Sequence, residues 1–251
     1  MARIKILAHR GLSSLYPENS LIAFQKAIEL GADGIECDLR TSADGHIVLM
    51  HDATVDRTTD GSGEVCDMTL LQLRRHRLRG PTAGGGKTVW KDQTIPTLIE
   101  LFELFNPTDR ELRLEVKQVG LEGKLIETIR SFGLAERVTV TSFFACVPKA
   151  VKDIDPAIRT GWIAGKFDAR QYEQVRPHVD AIDLALTADL TDQVAKRVKG
   201  DGLIFDVWTV NSVEQFTQAV SLGPDYLTSD YPQRMMALLK KHVPHWAKEA
   251  T

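Results

Sequence analysis

Long hydrophobic runs are missing from this chain of 251 residues, although 43% of its residues are hydrophobic. An apolar helix needs about 20 consecutive residues to cross a bilayer, and no stretch reaches that length, so we expect no membrane span. The segment Met1 to Ala8 also lacks the longer apolar stretch and the small-residue cleavage site of a signal peptide. We therefore expect a cytoplasmic protein.

Cysteine and an excess of one charge sign are also lacking. The three cysteines, Cys37, Cys66 and Cys146, have neither the spacing of a disulfide framework nor that of a thiolate metal site, which fits a reducing compartment. Acidic and basic residues are mixed along the chain and the formal net charge is −3, so the basic surface typical of a nucleic-acid binder is absent. We expect a small-molecule partner and no nucleic acid. A homo-oligomer is possible, and the sequence leaves the oligomeric state open.

Apolar strand patterns alternate with helical patterns along most of the chain. Strands are predicted at residues 4–8, 34–40, 111–117, 138–142, 158–163, 180–183, 203–208 and 226–229. A helical pattern follows each of them, and Asn19 or Ser20 is expected to cap the first helix. Eight such repeats predict a (β/α)₈ TIM barrel, with a doubly wound open sheet as the alternative.

An irregular region at about residues 52–93 interrupts this alternation after the second strand. It is rich in turn residues, with one short helix predicted from Thr69 and a loop at Gly84 to Gly86. Gly86-Lys87-Thr88 invites comparison with a phosphate-binding P-loop, but Pro81 replaces the first glycine of that motif, so we interpret the region as a loop only. We expect residues 1–251 to form one barrel domain with a small insertion.

The positions of the polar residues favour the barrel over the open sheet, because these residues recur at one end of the predicted strands. Barrel enzymes assemble their chemistry at the carboxyl ends of the strands, and this is where the polar residues fall. They are His9, Glu36, Asp38, His51, Glu115, Lys117, Ser142, Trp208 and Asp230.

Three carboxylates are expected to meet at that end. Glu36 and Asp38 lie two residues apart on one strand and share a face, and Glu115 and Lys117 repeat this spacing on another. Three carboxylates at close range need a compensating cation, and oxygen ligands favour Mg²⁺ or Ca²⁺. In the alternative, Arg10 and Lys117 balance the charge alone.

The neighbouring side chains suit phosphoryl transfer. His9 and His51 have the ordinary pKa range of a general acid and base at neutral pH. Arg10 offers a planar fork for phosphate oxygens, and Lys117 offers a point charge. With a metal, these groups indicate phosphoryl transfer by positioning and charge stabilisation.

A set of short motifs then resembles the glycerophosphodiester phosphodiesterase family from the first strand to the last helix. The motifs are His9-Arg10-Gly11, Pro17-Glu18-Asn19-Ser20, Gly31 to Asp38, Asp44-Gly45, His51-Asp52, Arg57-Thr58-Thr59, Glu115-Val116-Lys117, Trp208 to Asn211 and Thr228 to Pro232. The resemblance implies a barrel with a small insertion after the second strand.

The same resemblance implies roles for single residues. Glu36, Asp38 and Glu115 would hold the metal, and His9 and His51 would be the acid/base pair. Arg10 and Lys117 would contact the phosphate, and Trp208 would line the substrate pocket. The implied reaction cleaves a glycerophosphodiester to sn-glycerol 3-phosphate and an alcohol, with a cyclic phosphate as the intermediate.

Other functions remain as competing hypotheses. A lysophospholipase D is the nearest variant, and it would need an apolar groove. An aldolase would use Lys117 as a Schiff base, but it leaves both histidines and the Glu36/Asp38 pair unexplained. A non-catalytic barrel that binds a phosphorylated metabolite would not need the complete set of catalytic residues.

Overall fold

The architecture is described by a computed structural model covering residues 3–82 and 86–242. Its elements follow one another along the chain in this order: β1 (Lys5–His9), α1 (Leu21–Leu30), β2 (Gly34–Thr41), β3 (Ile47–Leu49), α2 (Leu70–Leu73), β4 (Arg79–Pro81), β5 (Lys87–Val89), α3 (Leu98–Phe105), β6 (Glu111–Val116), α4 (Glu122–Ser131), β7 (Val138–Ser142), α5 (Cys146–Ile154), β8 (Arg159–Ala164), α6 (Ala169–Val175), β9 (Ala181–Ala185), α7 (Asp192–Gly200), β10 (Ile204–Trp208), α8 (Val213–Ser221), β11 (Tyr226–Ser229) and α9 (Pro232–His242).

Eight of these strands form a closed parallel barrel. The sheet order is β1-β11-β10-β9-β8-β7-β6-β2, and β1 also pairs with β2, so the two ends of the sheet meet. A helix follows each barrel strand before the next one begins. The predicted (β/α)₈ barrel is confirmed, and the doubly wound open sheet is wrong.

The alternation of side chains along the strands separates two environments. Ile35, Cys37 and Leu39 of β2 point outward and belong to the apolar cluster that also contains Phe24 and Phe102 of the surrounding helices. The residues between them point into the barrel, as the two-residue period of a strand requires. Polar side chains of the barrel interior are therefore held by an apolar layer on the outside.

Most predicted boundaries agree with the structure to within one or two residues, and two predictions need correction. The strand expected at 180–183 runs from Ala181 to Ala185, so Asp183 lies in its middle instead of at its end. Lys87 and Thr88 are not in a loop, because they lie in β5, which pairs antiparallel with β4. Of the predicted Gly84–Gly86 loop, Gly84 and Gly85 lie outside the described residues.

The insertion between β2 and α3 covers the barrel at the side of β2. Its first strand, β3, pairs antiparallel with the end of β2, and the short helix predicted from Thr69 is α2, which begins at Leu70 with Thr69 as its cap. Val55, Val65 and Leu73 pack against Val48 of β3 in a small apolar cluster of their own. The insertion thus has a core that fixes it to the carboxyl end of β2.

Among the residues that the structure describes, no helix combines the length and the apolar character that a membrane crossing requires.

Candidate active site

A cavity of about 180 Å³ opens at the carboxyl ends of the barrel strands. The residues that the sequence singles out come together here, although they lie up to 199 positions apart. Seven of them line the cavity: His9, Arg10, Glu36, His51, Glu115, Lys117 and Trp208. The eighth, Asp38, is fully buried and contacts two of the lining residues, Arg10 and Lys117.

The carboxylates of Glu36, Asp38 and Glu115 form one cluster. Each offers one oxygen, and these oxygens all lie within 4.8 Å of one another. Strand register explains the arrangement, because Asp38 of β2 lies directly beside Glu115 of β6, and Glu36 is on the same face one pleat earlier. The spacing of the three oxygens fits a single divalent cation.

Two cations contact two of these three carboxylates. Lys117 Nζ lies 2.6 Å from Glu115 Oε1 and 3.1 Å from Asp38 Oδ1, and Arg10 Nε lies 3.1 Å from Asp38 Oδ2. Burial acts to raise the pKa of Asp38, but Arg10 and Lys117 outweigh it and lower that pKa to about 2. Asp38 is therefore ionised at any physiological pH.

Glu36 is the carboxylate with which, among the described residues, neither of these cationic groups forms an ion pair. Its Oε1 is buried and has no hydrogen-bond partner within the described ranges, 3–82 and 86–242. Burial, and after it the charges of Asp38 and Glu115, raise the pKa of Glu36 well above its ordinary value. Burial and Asp38 likewise raise the pKa of Glu115 to about 7. Arg10 and Lys117 alone do not balance the cluster, so its donor set fits an additional cation.

His9 is oriented by a carboxylate that comes from the last barrel strand. Its Nδ1 lies 2.7 Å from Asp230 Oδ1, and a carboxylate only accepts, so Nδ1 carries the hydrogen. Asn211 Nδ2 donates to Asp230 Oδ2 at 2.7 Å and holds the carboxylate in place. His9 Nε2 is then directed to the cluster, 3.8 Å from Glu36 Oε2.

His51, which follows β3, has an equivalent arrangement. Its Nδ1 donates to Asp52 Oδ1 at 2.6 Å, which leaves Nε2 as its free ring nitrogen. Arg40 of β2 donates two hydrogen bonds, 3.0 and 2.8 Å long, to the His51 carbonyl and fixes its backbone. Burial, helped by the cations Arg10 and Lys117, lowers the pKa of His51 and outweighs the opposing effects of Asp38 and Asp52.

The backbone after β1 turns sharply to place Arg10. Arg10 and Gly11 both have positive φ angles, 56° and 82°. This left-handed conformation is unfavourable for Arg10, which has a side chain. A hydrogen bond from the Arg10 N–H to the Glu36 carbonyl, 2.9 Å long, holds the backbone there. A Cβ on Gly11 would lie 2.7 Å from the Ala23 backbone, so the turn packs tightly on α1. The guanidinium of Arg10 is thereby directed to the carboxylates.

The Glu18-Asn19-Ser20 segment combines a helix cap with contacts to the site. Ser20 caps α1 by accepting from the Ala23 N–H at 3.2 Å. Asn19 is not the cap, because its Nδ2 donates to Asp38 Oδ2 at 2.7 Å. Glu18 accepts from Arg10 Nη1 at 2.8 Å.

Aromatic side chains line the other wall of the cavity. Trp208 is half-buried, and its ring meets the ring of Phe143 edge-on, with centroids 5.7 Å apart. Trp208 Nε1 donates to the Asp183 carbonyl at 3.1 Å, which fixes the indole. Lys117 Nζ lies 5.7 Å from the Phe143 centroid. The aromatic side chains of Phe143 and Trp208 therefore lie next to the charged residues of the carboxylate cluster.

Beneath the site lies an ion cluster that sequence reasoning missed. Arg113 forms an ion pair with Asp183, and its Nη1 lies 3.7 Å from Asp206 Oδ2. All three are buried and line the cavity. The signal was present, because Arg113 precedes Glu115 by two residues and therefore shares its inward face. The sequence places Asp230 at a strand end and Asp52 and Arg57 in family-like motifs, but it does not show their partners, which depend on how the chain folds back on itself.

Comparisons with known proteins agree with this architecture. The family model described as the glycerophosphoryl diester phosphodiesterase family matches residues 9–234. A glycerophosphodiester phosphodiesterase of Caldanaerobacter subterraneus subsp. tengcongensis is 34% identical over 94% of this chain and 98% of its own length. One of Bacillus altitudinis is 32% identical over 93% of this chain and 97% of its own.

A solved structure is also similar over most of its length. It is an Oleispira antarctica phosphodiesterase in complex with the product sn-glycerol-3-phosphate, 26% identical, with a TM-score of 0.82. The similarity covers 93% of this chain and 95% of that one. From the family match and the full-length relatives, this chain belongs to the glycerophosphoryl diester phosphodiesterase family.

Proposed function

We propose that this protein hydrolyses glycerophosphodiesters to sn-glycerol 3-phosphate and an alcohol, and that Glu36, Asp38 and Glu115 hold the divalent metal, Mg²⁺ or Ca²⁺, that the reaction needs. The observation that carries the metal site is the buried Oε1 of Glu36, which lacks a hydrogen-bond partner in the described part of the chain and lies within 4.8 Å of oxygens of Asp38 and Glu115. A cation bound by these three side chains would supply positive charge next to the phosphoryl oxygens. The product complex of the Oleispira antarctica relative supports the choice of product.

His9 and His51 are the general acid and base of this proposal. Each has its Nδ1 bound to a carboxylate, Asp230 or Asp52, which fixes the tautomer and leaves Nε2 for proton transfer. One histidine takes the proton from the neighbouring glycerol hydroxyl as that oxygen attacks phosphorus. The other protonates the departing alkoxide, and water then opens the resulting cyclic phosphate.

Arg10 and Lys117 contact the phosphate in this proposal. Both line the cavity beside the carboxylates, where a phosphate would accept hydrogen bonds from them. Trp208 lines the substrate pocket on the apolar wall and restricts where the substrate carbons lie. These groups position the phosphodiester between the two histidines.

The aldolase hypothesis is disfavoured by the state of Lys117. A Schiff-base lysine must be a neutral amine to attack a carbonyl. Lys117 Nζ instead forms ion pairs with Glu115 and Asp38, so the amine is engaged by two carboxylates of the cluster. A binding protein without activity is also disfavoured, because its histidines would not need the Asp52 and Asp230 contacts.

The cellular setting and domain organisation complete the proposal. We propose that residues 1–251 act as one barrel domain with the insertion as part of it. Cys37, Cys66 and Cys146 are free, which supports a reducing location, and we propose the cytoplasm.

The decisive experiment measures release of glycerol 3-phosphate from glycerophosphocholine and glycerophosphoethanolamine before EDTA, after EDTA, and after Mg²⁺ or Ca²⁺ is added back. We expect chelation to stop release and one of the two metals to restore it. Release that survives thorough chelation would overturn the metal site and keep the reaction. If no substrate is cleaved with any metal, the proposed reaction is wrong.

A matched control accompanies this assay. Glu111 lies on β6 with Glu115 but at the opposite end of the barrel, where it pairs with Lys5. Glu111→Gln is expected to leave metal binding intact, whereas Glu115→Gln is expected to weaken it. Calorimetric titration of Mg²⁺ and Ca²⁺ into both variants distinguishes loss of the site from a general loss of structure.

A further inference from the structure

Two buried polar atoms of residues that line the cavity have no hydrogen-bond partner among the described residues. Thr141 of β7 and Asp206 of β10 are 0% and 1% exposed. Over residues 3–82 and 86–242, Thr141 Oγ1 and Asp206 Oδ1 have no hydrogen-bond partner, and both side chains line the cavity. A buried polar atom left unsatisfied is unfavourable, so a ligand group that hydrogen-bonds to it binds better than one that does not.

Neither atom belongs to the catalytic groups of the proposed reaction. Thr141 lies beside Glu115 in the register of β6 and β7, so its side chain is next to the cluster. Asp206 lies two residues before Trp208, about 6–7 Å further from the strand ends. Its Oδ2 accepts from Thr228 Oγ1 at 2.7 Å, which leaves Oδ1 for another donor. Both atoms are therefore available to a ligand that enters the cavity.

Gly161 provides the space in which Thr141 lies. It is beside Thr141 in the register of β7 and β8, and a Cβ on Gly161 would be 2.8 Å from Thr141 Cγ2. The absence of a side chain at Gly161 thus allows Thr141 to occupy its inward position without displacement.

The substrate's two ends differ in what they require of the cavity. The alcohol that leaves varies among glycerophosphodiesters and needs the open end at the strand termini. The glycerol is common to all of them, so it can enter the closed end. Its hydroxyl next to the phosphate ester is the nucleophile, and its terminal hydroxyl extends furthest from phosphorus. That terminal hydroxyl is the group that can reach Thr141 Oγ1 and Asp206 Oδ1.

We infer that Thr141 and Asp206 form a subsite for the free terminal hydroxyl of the glycerol, and that this subsite selects glycerophosphodiesters against lysophospholipids. The inference rests on the proposed function. A hydroxyl donates one hydrogen bond and accepts another, as Asp206 Oδ1 and Thr141 Oγ1 require. In a lysophospholipid acylated at this position, the oxygen carries no hydrogen. Its acyl chain would also cover the polar side chains of Arg113, Asp183 and Asp206 without hydrogen-bonding to them.

The test compares Thr141→Val, which keeps the shape but removes the hydroxyl, on two substrates. One is sn-glycero-3-phosphocholine, and the other is its deoxy analogue, 2-hydroxypropyl phosphocholine, which keeps the attacking hydroxyl and lacks the terminal one. We expect kcat/KM of the variant to fall about 5- to 100-fold on the first substrate and to stay unchanged on the second. Equal losses on both substrates would show a purely structural role and overturn the inference.

Thr139→Val is the matched control. Thr139 is buried on the same face of β7, two residues earlier, and is not among the residues that line the cavity. The Thr139→Val variant should have the wild-type ratio of kcat/KM on sn-glycero-3-phosphocholine to kcat/KM on the deoxy analogue. Asp206→Asn, which keeps the shape but alters the acceptor, is the second variant and should reduce the same ratio. If neither Thr141→Val nor Asp206→Asn changes the ratio in a folded protein, the subsite is wrong.

Two further measurements separate this inference from the proposed reaction. Wild-type enzyme should cleave 1-acyl lysophosphatidylcholine more than about 100-fold more slowly than glycerophosphocholine, since a site built for a hydroxyl rejects a ligand that lacks it. Comparable rates would overturn the selectivity. Calorimetric binding of sn-glycerol 3-phosphate and 2-hydroxypropyl phosphate tests the subsite without turnover. If wild type cleaves no substrate, the proposed function is wrong. Tighter binding of sn-glycerol 3-phosphate than of 2-hydroxypropyl phosphate would still support the subsite, and equal binding would overturn it.

Discussion

Arg57 of the insertion forms a bidentate ion pair with Glu18 of the barrel, with Nη1–Oε2 and Nη2–Oε1 distances of 2.7 and 2.9 Å. Its Nε also donates to Asp52 Oδ2 at 2.6 Å. Glu18 in turn accepts from Arg10, and Asp52 accepts from His51. One guanidinium thus fixes the partners of two residues at the site, and it joins the insertion to the barrel.

Removal of this guanidinium should reduce activity without removing any group that contacts substrate. We expect Arg57→Ala to lower kcat/KM about 10- to 100-fold, because the partners that orient Arg10 and His51 lose their own support. Arg57→Lys keeps the charge but not the fork, and should fall between Arg57→Ala and wild type. Steady-state kinetics on glycerophosphocholine measure both.

The control for Arg57 is an ion pair remote from the cavity. Arg130 pairs with Asp155 at 2.8 Å and its side chain is 56% exposed, so Arg130→Ala should leave kcat/KM unchanged. If Arg57→Ala has the kcat/KM of wild type, Arg57 does not contribute to the positioning of Arg10 and His51.

The carboxylate cluster should weaken the metal-free fold while it provides the metal site. Glu36→Gln removes a buried charge that faces Asp38 and Glu115, so the metal-free variant should unfold at a temperature equal to or above that of metal-free wild type. Adding Mg²⁺ or Ca²⁺ should raise the wild-type Tm, because a ligand that binds only the folded state stabilises it, and should not raise that of the variant. Differential scanning calorimetry with and without EDTA measures both effects. A metal-induced rise in the variant equal to that of wild type would argue against Glu36 as a ligand.

The two histidines should respond differently to the leaving group. His9→Ala and His51→Ala should each reduce kcat on glycerophosphocholine by about 10²–10⁴-fold. A glycerophosphodiester of p-nitrophenol has a leaving group that needs no protonation, so the loss at the general acid should shrink while the loss at the base remains. Rates of all four combinations therefore assign the roles. Equal losses on both substrates for both variants would contradict a division into acid and base.

His178 offers a control for the histidine variants. It lies just before β9, at the end of the barrel opposite the cavity. His178→Ala should retain the wild-type rate on both substrates, and a loss there would indicate that histidine substitutions act through stability.

Asp206 predicts a pH dependence of stability. Burial, reinforced by the charge of Asp183 and only partly offset by Arg113, raises the pKa of Asp206 to about 7. A carboxyl whose folded pKa exceeds its unfolded value favours folding in its protonated form. Its contribution is fully present below about pH 4 and is lost as the pH rises from there through about 7.

Asp206→Asn tests this sign, because an amide stays neutral at every pH. Relative to wild type, the free energy of unfolding of the variant should increase between pH 5 and pH 8. Urea denaturation at both values measures the change. A difference between the two proteins that is constant with pH would contradict the raised pKa.

The barrel and most of its candidate site were predictable because their signals are local. Period-two alternation places Glu36 and Asp38 on one face of their strand, and it predicts that Glu115 and Lys117, also two residues apart, share a face. Parallel strands bring their carboxyl ends to one rim, so strand-end residues distant in sequence had to meet. The family resemblance added the implied roles.

The sequence by itself therefore determined the eight repeats, the shared rim and the chemistry of the residues on it. Tertiary structure alone decided which charges pair. Asp230 meets His9 across 221 positions, and Arg57 meets Glu18 across 39, through loops whose paths no local pattern specifies. It also decided that two cations contact Asp38 and Glu115 and leave Glu36 Oε1 buried without a partner in the described residues. The reason is physical: propensity and periodicity act within a few residues, whereas ion pairing and desolvation depend on the distances that chain closure sets.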